Sequence, residues 1–110
     1  MNALEAAKVA QAAIEDKLGE DIKVLNLQGL SNIADCFVIA SGKNVNQLRA
    51  MAEEVEQKLF KEGIKLHHSE GYSGGTWFLL DFGNLLVHLF NREDREFYGM
   101  DHVWGDAPSL

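Results

Sequence analysis

The segment Trp77-Phe78-Leu79-Leu80-Asp81-Phe82-Gly83-Asn84-Leu85-Leu86-Val87-His88-Leu89-Phe90 holds two apolar runs separated by Gly-Asn. A two-residue hairpin turn needs positive φ at its first central position, which Gly supplies, so the segment predicts an antiparallel hairpin. The turn also sets the register. With Phe82 opposite Leu85, Leu80 faces Val87 and Phe78 faces Leu89, and because strand side chains alternate, these six apolar residues share one face. The other face then carries Trp77, Leu79 and Asp81 beside Leu86, His88 and Phe90. Large hydrophobes mixed with one carboxylate and one imidazole suit a partner-binding surface.

Helical spacing comes before the hairpin. Leu4, Ala7, Ala10, Ile14 and Leu18 recur at steps of three and four, which predicts a helix from Asn2 to Leu18 with Gly19 as its left-handed terminator. Ile22 to Leu27 reads as a strand, and the unbroken apolar run Cys36 to Ala40 as a central strand covered on both faces. Asn44 can cap a second helix, with Gln47 answering it in a capping box. Leu48, Met51, Ala52, Val55 and Leu59 form that helix's inner stripe, and Gly63 closes it. A third strand is expected from Lys65 to Glu70, followed by a connecting loop, Gly71 to Gly75. Asn91 can cap a last short helix through Tyr98, and the end of the tail, residues 105–110, is expected to be loose. There is no internal repeat, low-complexity segment or linker. With 46% apolar residues in 110, residues 1–110 are expected to form a single α/β domain, a mixed β-sheet flanked by helices.

Charge and motif content narrow the chemistry. Seventeen acidic against ten basic side chains give a net charge of −7, which disfavours affinity for phosphate backbones and suits a basic protein partner. The apolar stretches are too short to cross a bilayer, and no apolar run follows a basic start as in a secretory signal. The lone Cys36 makes no internal disulfide and fits a reducing, cytoplasmic setting. His67 and His68 point to opposite faces of a strand, and no metal-ligand spacing occurs, so no metal or other cofactor is expected. A second reading is a small nucleotide-binding or nucleotidyl-transferring enzyme, using the Ser41-Gly42 turn before the second helix and Asp81 as a metal-holding carboxylate. No second carboxylate accompanies Asp81 on its strand, and no P-loop is present. A third reading is a structural dimerisation module.

The stretches Asp21-Ile22-Lys23-Val24-Leu25, Ser31 to Gly42, Glu70-Gly71-Tyr72, Trp77 to Gly83, Val87-His88-Leu89-Phe90, Arg95-Glu96-Phe97-Tyr98 and Val103 to Pro108 together resemble the ribosomal silencing factor family, also called Iojap-related. The resemblance covers nearly the whole chain. It implies a fold related to nucleotidyltransferases but without catalysis, and a homodimer when free. It further implies binding to large-subunit ribosomal protein fourteen, which blocks joining of the small subunit and lowers translation when nutrients are scarce; some members act in large-subunit assembly. The family often has Asp where this chain has Asn26 and Asn84. For the docking surface, Trp77 and Leu79 are expected as apolar anchors, Glu70 and Asp81 as acceptors for Arg or Lys, and Tyr98 and Met100 as flanking contacts. His88 either orients Asp81 or fills the sheet face.

Overall fold

The computed structural model of the chain describes residues 1–29, 32, 34–72 and 77–92. Asn2 starts the first helix through a capping box. Its side chain accepts from the Glu5 amide at 2.8 Å, while the Glu5 carboxylate accepts from the Asn2 amide at 3.0 Å. The helix, α1 (Ala3–Asp16), buries Ala3, Ala6, Ala7, Ala10, Ala13 and Ile14. Leu18, expected to extend that stripe, is instead 78% exposed and takes the left-handed conformation itself, with φ 62°. Gly19 is needed for space rather than for φ: a Cβ there would stand 2.2 Å from Ile14 Cγ2 and 3.2 Å from Met51 Sδ. Replacing Gly19 by Ala is therefore expected to destabilise the fold by about 1–3 kcal/mol, measured by urea denaturation, as overpacking does. Unchanged stability would show that Ile14 relaxes freely.

Three strands and the second helix follow the expected order with shifted limits: β1 (Glu20–Asn26), β2 (Cys36–Gly42), α2 (Val45–Lys61) and β3 (His68–Tyr72). All seven residues of β2 are buried, as the unbroken apolar run required. Asn44 accepts from the Gln47 amide at 2.9 Å and caps α2. Gln47 does not close a box on Asn44. Its Oε1 accepts from the Lys43 amide at 2.6 Å, and its Nε2 donates to the Lys17 and Leu18 carbonyls at 3.1 and 3.0 Å, tying the end of α1 to the start of α2. β3 begins three residues later than expected, because Ile64 and Leu66 pack against the core as irregular chain. Gly71 and Tyr72, expected in a loop, continue the strand.

β4 (Trp77–Asp81) and β5 (Leu85–Asn91) form the expected hairpin. Leu80 pairs with Val87 and Phe78 with Leu89, the Phe82 amide donates to the Leu85 carbonyl at 2.9 Å, and Gly83 has φ 92°. The Asn84 carbonyl accepts from the Asp35 and Cys36 amides at 2.9 and 3.1 Å, which pins the turn to the start of β2. β5 then runs parallel to β2, and the sheet order is β1-β2-β5-β4-β3, with the other pairs antiparallel. Both helices lie on one face. There the alanines of α1 and Leu48, Met51, Val55 and Leu59 of α2 enclose Val24, Val38, Leu80, Phe82, Leu85, Val87 and Leu89.

Candidate docking face

The opposite face of the sheet carries a second apolar cluster to which neither helix contributes: Leu25, Leu27, Ala34, Phe37, Ile39, Leu86 and Phe90, with Trp77 and Leu79 half-buried against it. Strand alternation puts them there. The rings form a row across three strands. Phe37 lies 4.8 Å from His88, His88 6.2 Å from Phe90, and Trp77 5.1 Å from Phe90 at an interplanar angle of 22°. The hairpin register placed Phe90 on this mixed face, and it is fully buried there, as is Ile39 of β2.

His88 is 4% exposed, and neither ring nitrogen has a hydrogen-bond partner among the described residues. Burial pushes its pKa down to about 4, so the ring is neutral at ordinary pH. It does not orient Asp81; it fills the sheet face between Phe37 and Trp77. Asp81 has a local task instead, its Oδ1 accepting from the Gly83 amide at 2.8 Å within the hairpin turn. Glu70 lies directly across from Leu79, and His68 across from Asp81, so both pairs share this face. His68 Nε2 sits 2.9 Å from Glu70 Oε1. The sequence reading weighed His68 only as a metal ligand and set it aside, although the alternation His68, Glu70 already places both on one side of a strand.

The docking residues inferred from sequence thus come together in part. Glu70, Trp77, Leu79 and Asp81 occupy adjacent positions of β3 and β4, whereas Tyr98 and Met100 lie outside the described residues. The nucleotide reading fares differently. Ser41 is 1% exposed, a Cβ on Gly42 would meet Leu48 Cδ2 at 2.9 Å, and the Lys43 and Gln47 amides are already bonded to the side chains of Gln47 and Asn44. Two of the backbone donors at this turn are thus already taken, and the backbone runs close against Leu48. Ser41 lies opposite Phe90 and Asp81 opposite Leu86, on the two sides of β5 and about 13 Å apart along it, too far to share one ion. Among the described residues no group of three or more His, Cys, Asp or Glu is placed to hold a metal, and no helix is long and apolar enough to cross a membrane. Burial, then the charge of Asp35, push the Cys36 thiol up, away from nucleophilic use. Asn26 and Asn84 serve turns: Asn26 Oδ1 accepts from the Gln28 amide at 3.1 Å, and Asn84 pins the hairpin to β2.

A five-stranded mixed sheet with both helices on one face, and a Trp-bearing aromatic face with flanking carboxylates on the other, make up a small single α/β domain. The family model for "ribosomal silencing factor during starvation" matches residues 1–110. The chain belongs to that family. The ribosomal silencing factor RsfS of Bacillus subtilis is 38% identical over 108 residues, covering 98% of this chain and 92% of that protein. A solved protein from Chromobacterium violaceum superposes with a TM-score of 0.90 at 33% identity over 96% of this chain and 88% of that one. Another from Bacillus halodurans gives 0.83 at 32% identity over 97% of each. The expected fold class is borne out by these structures, and the family is named for silencing, not for a catalysed reaction.

Proposed function

We propose that this protein is a translational repressor of the cytoplasm that binds the large ribosomal subunit through large-subunit ribosomal protein fourteen. Its bulk then blocks joining of the small subunit and lowers translation under nutrient limitation; free, it is a homodimer. Family membership supports the ribosomal role. The observation that carries the docking surface is the pair Trp77 and Leu79, half-buried on the helix-free face beside Glu70 and Asp81. Apolar anchors flanked by carboxylates fit a basic ribosomal protein, and the acidic net charge steers the approach while rejecting bare RNA. Tyr98 and Met100 flank that contact in this reading.

The charge part is testable without disturbing the fold. Glu70→Gln keeps an acceptor for His68, and Asp81→Asn keeps an acceptor for the Gly83 amide, so the double variant removes two charges and spares the local bonds. Its affinity for isolated large subunits in co-sedimentation is expected to fall roughly tenfold at low salt, with the difference from the unaltered chain shrinking as salt rises. Equal binding at every salt concentration would remove Glu70 and Asp81 from the contact. The same titration against isolated large-subunit ribosomal protein fourteen tests the partner itself.

A further inference from the structure

The helix layer is narrower than the sheet beneath it. Strands spaced about 4.8 Å apart make a five-stranded sheet about 19 Å wide, and packed helices stand about 8–10 Å from each other. α1 lies over β1, β2 and β5, and α2 over β2, β5 and β4, so a third place remains on the helix side, over β3 and alongside α2. A cleft of about 220 Å³ lies there, walled by Ala52, Glu53 and Glu56 of α2 and floored by Ser69, Gly71 and Phe78. Ser69 and Gly71 face this side because they pair with Leu80 and Phe78, which pack on the helix-side core. A Cβ on Gly71 would stand 3.2 Å from Phe78 Cε1, so the Phe78 ring lies close over that glycine as an apolar floor. Toward the end of α2 the cleft continues into a second cavity of about 380 Å³, which shares Glu53, Glu56 and Leu66 with it and adds Phe60 and Lys65. Phe60 is 66% exposed. From Arg49 to Phe60 the two cavities form one trough about 16 Å long, at about 1.5 Å per residue of α2.

We propose that this trough seats an amphipathic α-helix of a basic protein partner, laid along α2 and completing the helix layer. Its dimensions decide for a helix. The open place is one helix diameter from α2 and about three turns long, and an apolar stripe at helical spacing would rest on Phe78, Leu66 and Phe60 in turn. Charge decides the composition of the partner. Glu53 and Glu56 stand one turn apart at the middle of the wall, with Arg49 and Lys65 only toward its ends, and the whole chain carries −7. Lys or Arg flanking the stripe is attracted there, whereas an acidic helix or a phosphate backbone is repelled. A second copy fits less well, because a two-fold pairing of α2 with α2 would set these carboxylates against their own copies. The trough opens on the opposite side of the sheet from Trp77 and Leu79. This partner and the one of the proposed function can therefore be held at the same time.

A synthetic peptide of about sixteen residues, with Leu at helical spacing, Lys between and a fluorescein label, tests the proposal when titrated into the full chain. Saturable binding is expected by anisotropy. The methyl NMR signals of Ala52 and Leu66 should shift as it binds, while those of Leu79 and Leu86, on the other face, stay in place. Glu53→Lys combined with Glu56→Lys should weaken binding roughly tenfold at low salt, and Phe60→Ser should weaken it as well. All three positions are exposed, so the fold is expected to tolerate the changes. A peptide of the same composition in scrambled order should bind roughly ten times more weakly. No binding, binding that ignores the variants or the scrambling, or shifts at Leu79 and Leu86 instead, overturns the proposal. Sedimentation velocity of Phe60→Ser covers the remaining occupant: loss of self-association would put a second copy in the trough and overturn the basic helix, and unchanged self-association supports it. Should a variant fail to fold by circular dichroism, the methyl shifts and the scrambled peptide with the unaltered chain decide.

Discussion

Trp77→Ala is expected to cost the fold about 3 kcal/mol and to weaken binding to large subunits roughly a hundredfold. The stability loss comes from the second cluster. Trp77 stacks on Phe90 at 5.1 Å and on His88 at 6.1 Å, and removing the indole opens a void beside both rings. Trp-to-Ala changes in full cores cost about 3–5 kcal/mol, and a half-buried indole belongs at the lower end. The binding loss follows if the exposed part of the same ring anchors the partner, since aromatic anchors dominate interface energetics. Urea denaturation measures the first effect. Co-sedimentation under conditions where the variant stays folded measures the second. Trp77→Phe keeps a stacked ring and should retain most of the stability while binding less well. Full binding by folded Trp77→Ala would make Trp77 a core residue alone and move the docking surface elsewhere.

Acid should weaken this fold through His88. A ring whose pKa lies at about 4 in the folded chain and at 6.5 when unfolded takes up its proton on unfolding throughout that interval. The unfolded state therefore binds more protons there, and stability rises with pH across the window. It is fully present above 6.5 and falls by about 3 kcal/mol as the pH drops toward 4. The cause is desolvation: cross-strand neighbours Ile39 and Leu79, and the rings of Phe37, Trp77 and Phe90, bring no charge to the imidazole. His88→Phe should flatten this part of the profile by the His88 contribution. Denaturation at a series of pH values in both chains gives the difference directly, and equal slopes would mean that the imidazole finds water or a partner on protonation.

The hairpin was readable because two local signals agree. Gly83 supplies the turn and the alternation from Phe78 to Leu89 supplies the face, and neither depends on distant chain. β2 was readable for a similar reason, since an unbroken apolar run has no side to leave in water. The end of α1 was not. Whether Leu18 or Gly19 turns left-handed depends on how closely the chain must pass Ile14 and Met51, a contact made across the core. Gln47 misled in the same way: its spacing from Asn44 is that of a capping box, but its side chain is claimed by carbonyls about thirty residues earlier. On the candidate docking face, strand period alone put Trp77, Leu79 and Asp81 on one side, whereas Glu70 was added only alongside the family resemblance; the pairing of β3 with β4 sets it opposite Leu79. His68 was passed over although its alternation with Glu70 was legible; what the sequence did not show is that the pairing of β3 with β4 sets it opposite Asp81.

The parallel pairing of β2 with β5 also governs how the chain comes into being. Cys36 meets Leu85, about fifty residues further along, so at translation rates of about 5–20 residues per second β2 waits roughly 3–10 seconds for its neighbour to be synthesised. During that interval α1, β1, β2 and α2 can assemble, but the seven-residue β2, destined to lie between β1 and β5, is an apolar edge open to other nascent chains. Chains stopped before Leu85 should accordingly be insoluble or bound to chaperones, even though both helices and the first hairpin are complete. A factor that acts on ribosomes would thus pass its own most vulnerable moment while still attached to one.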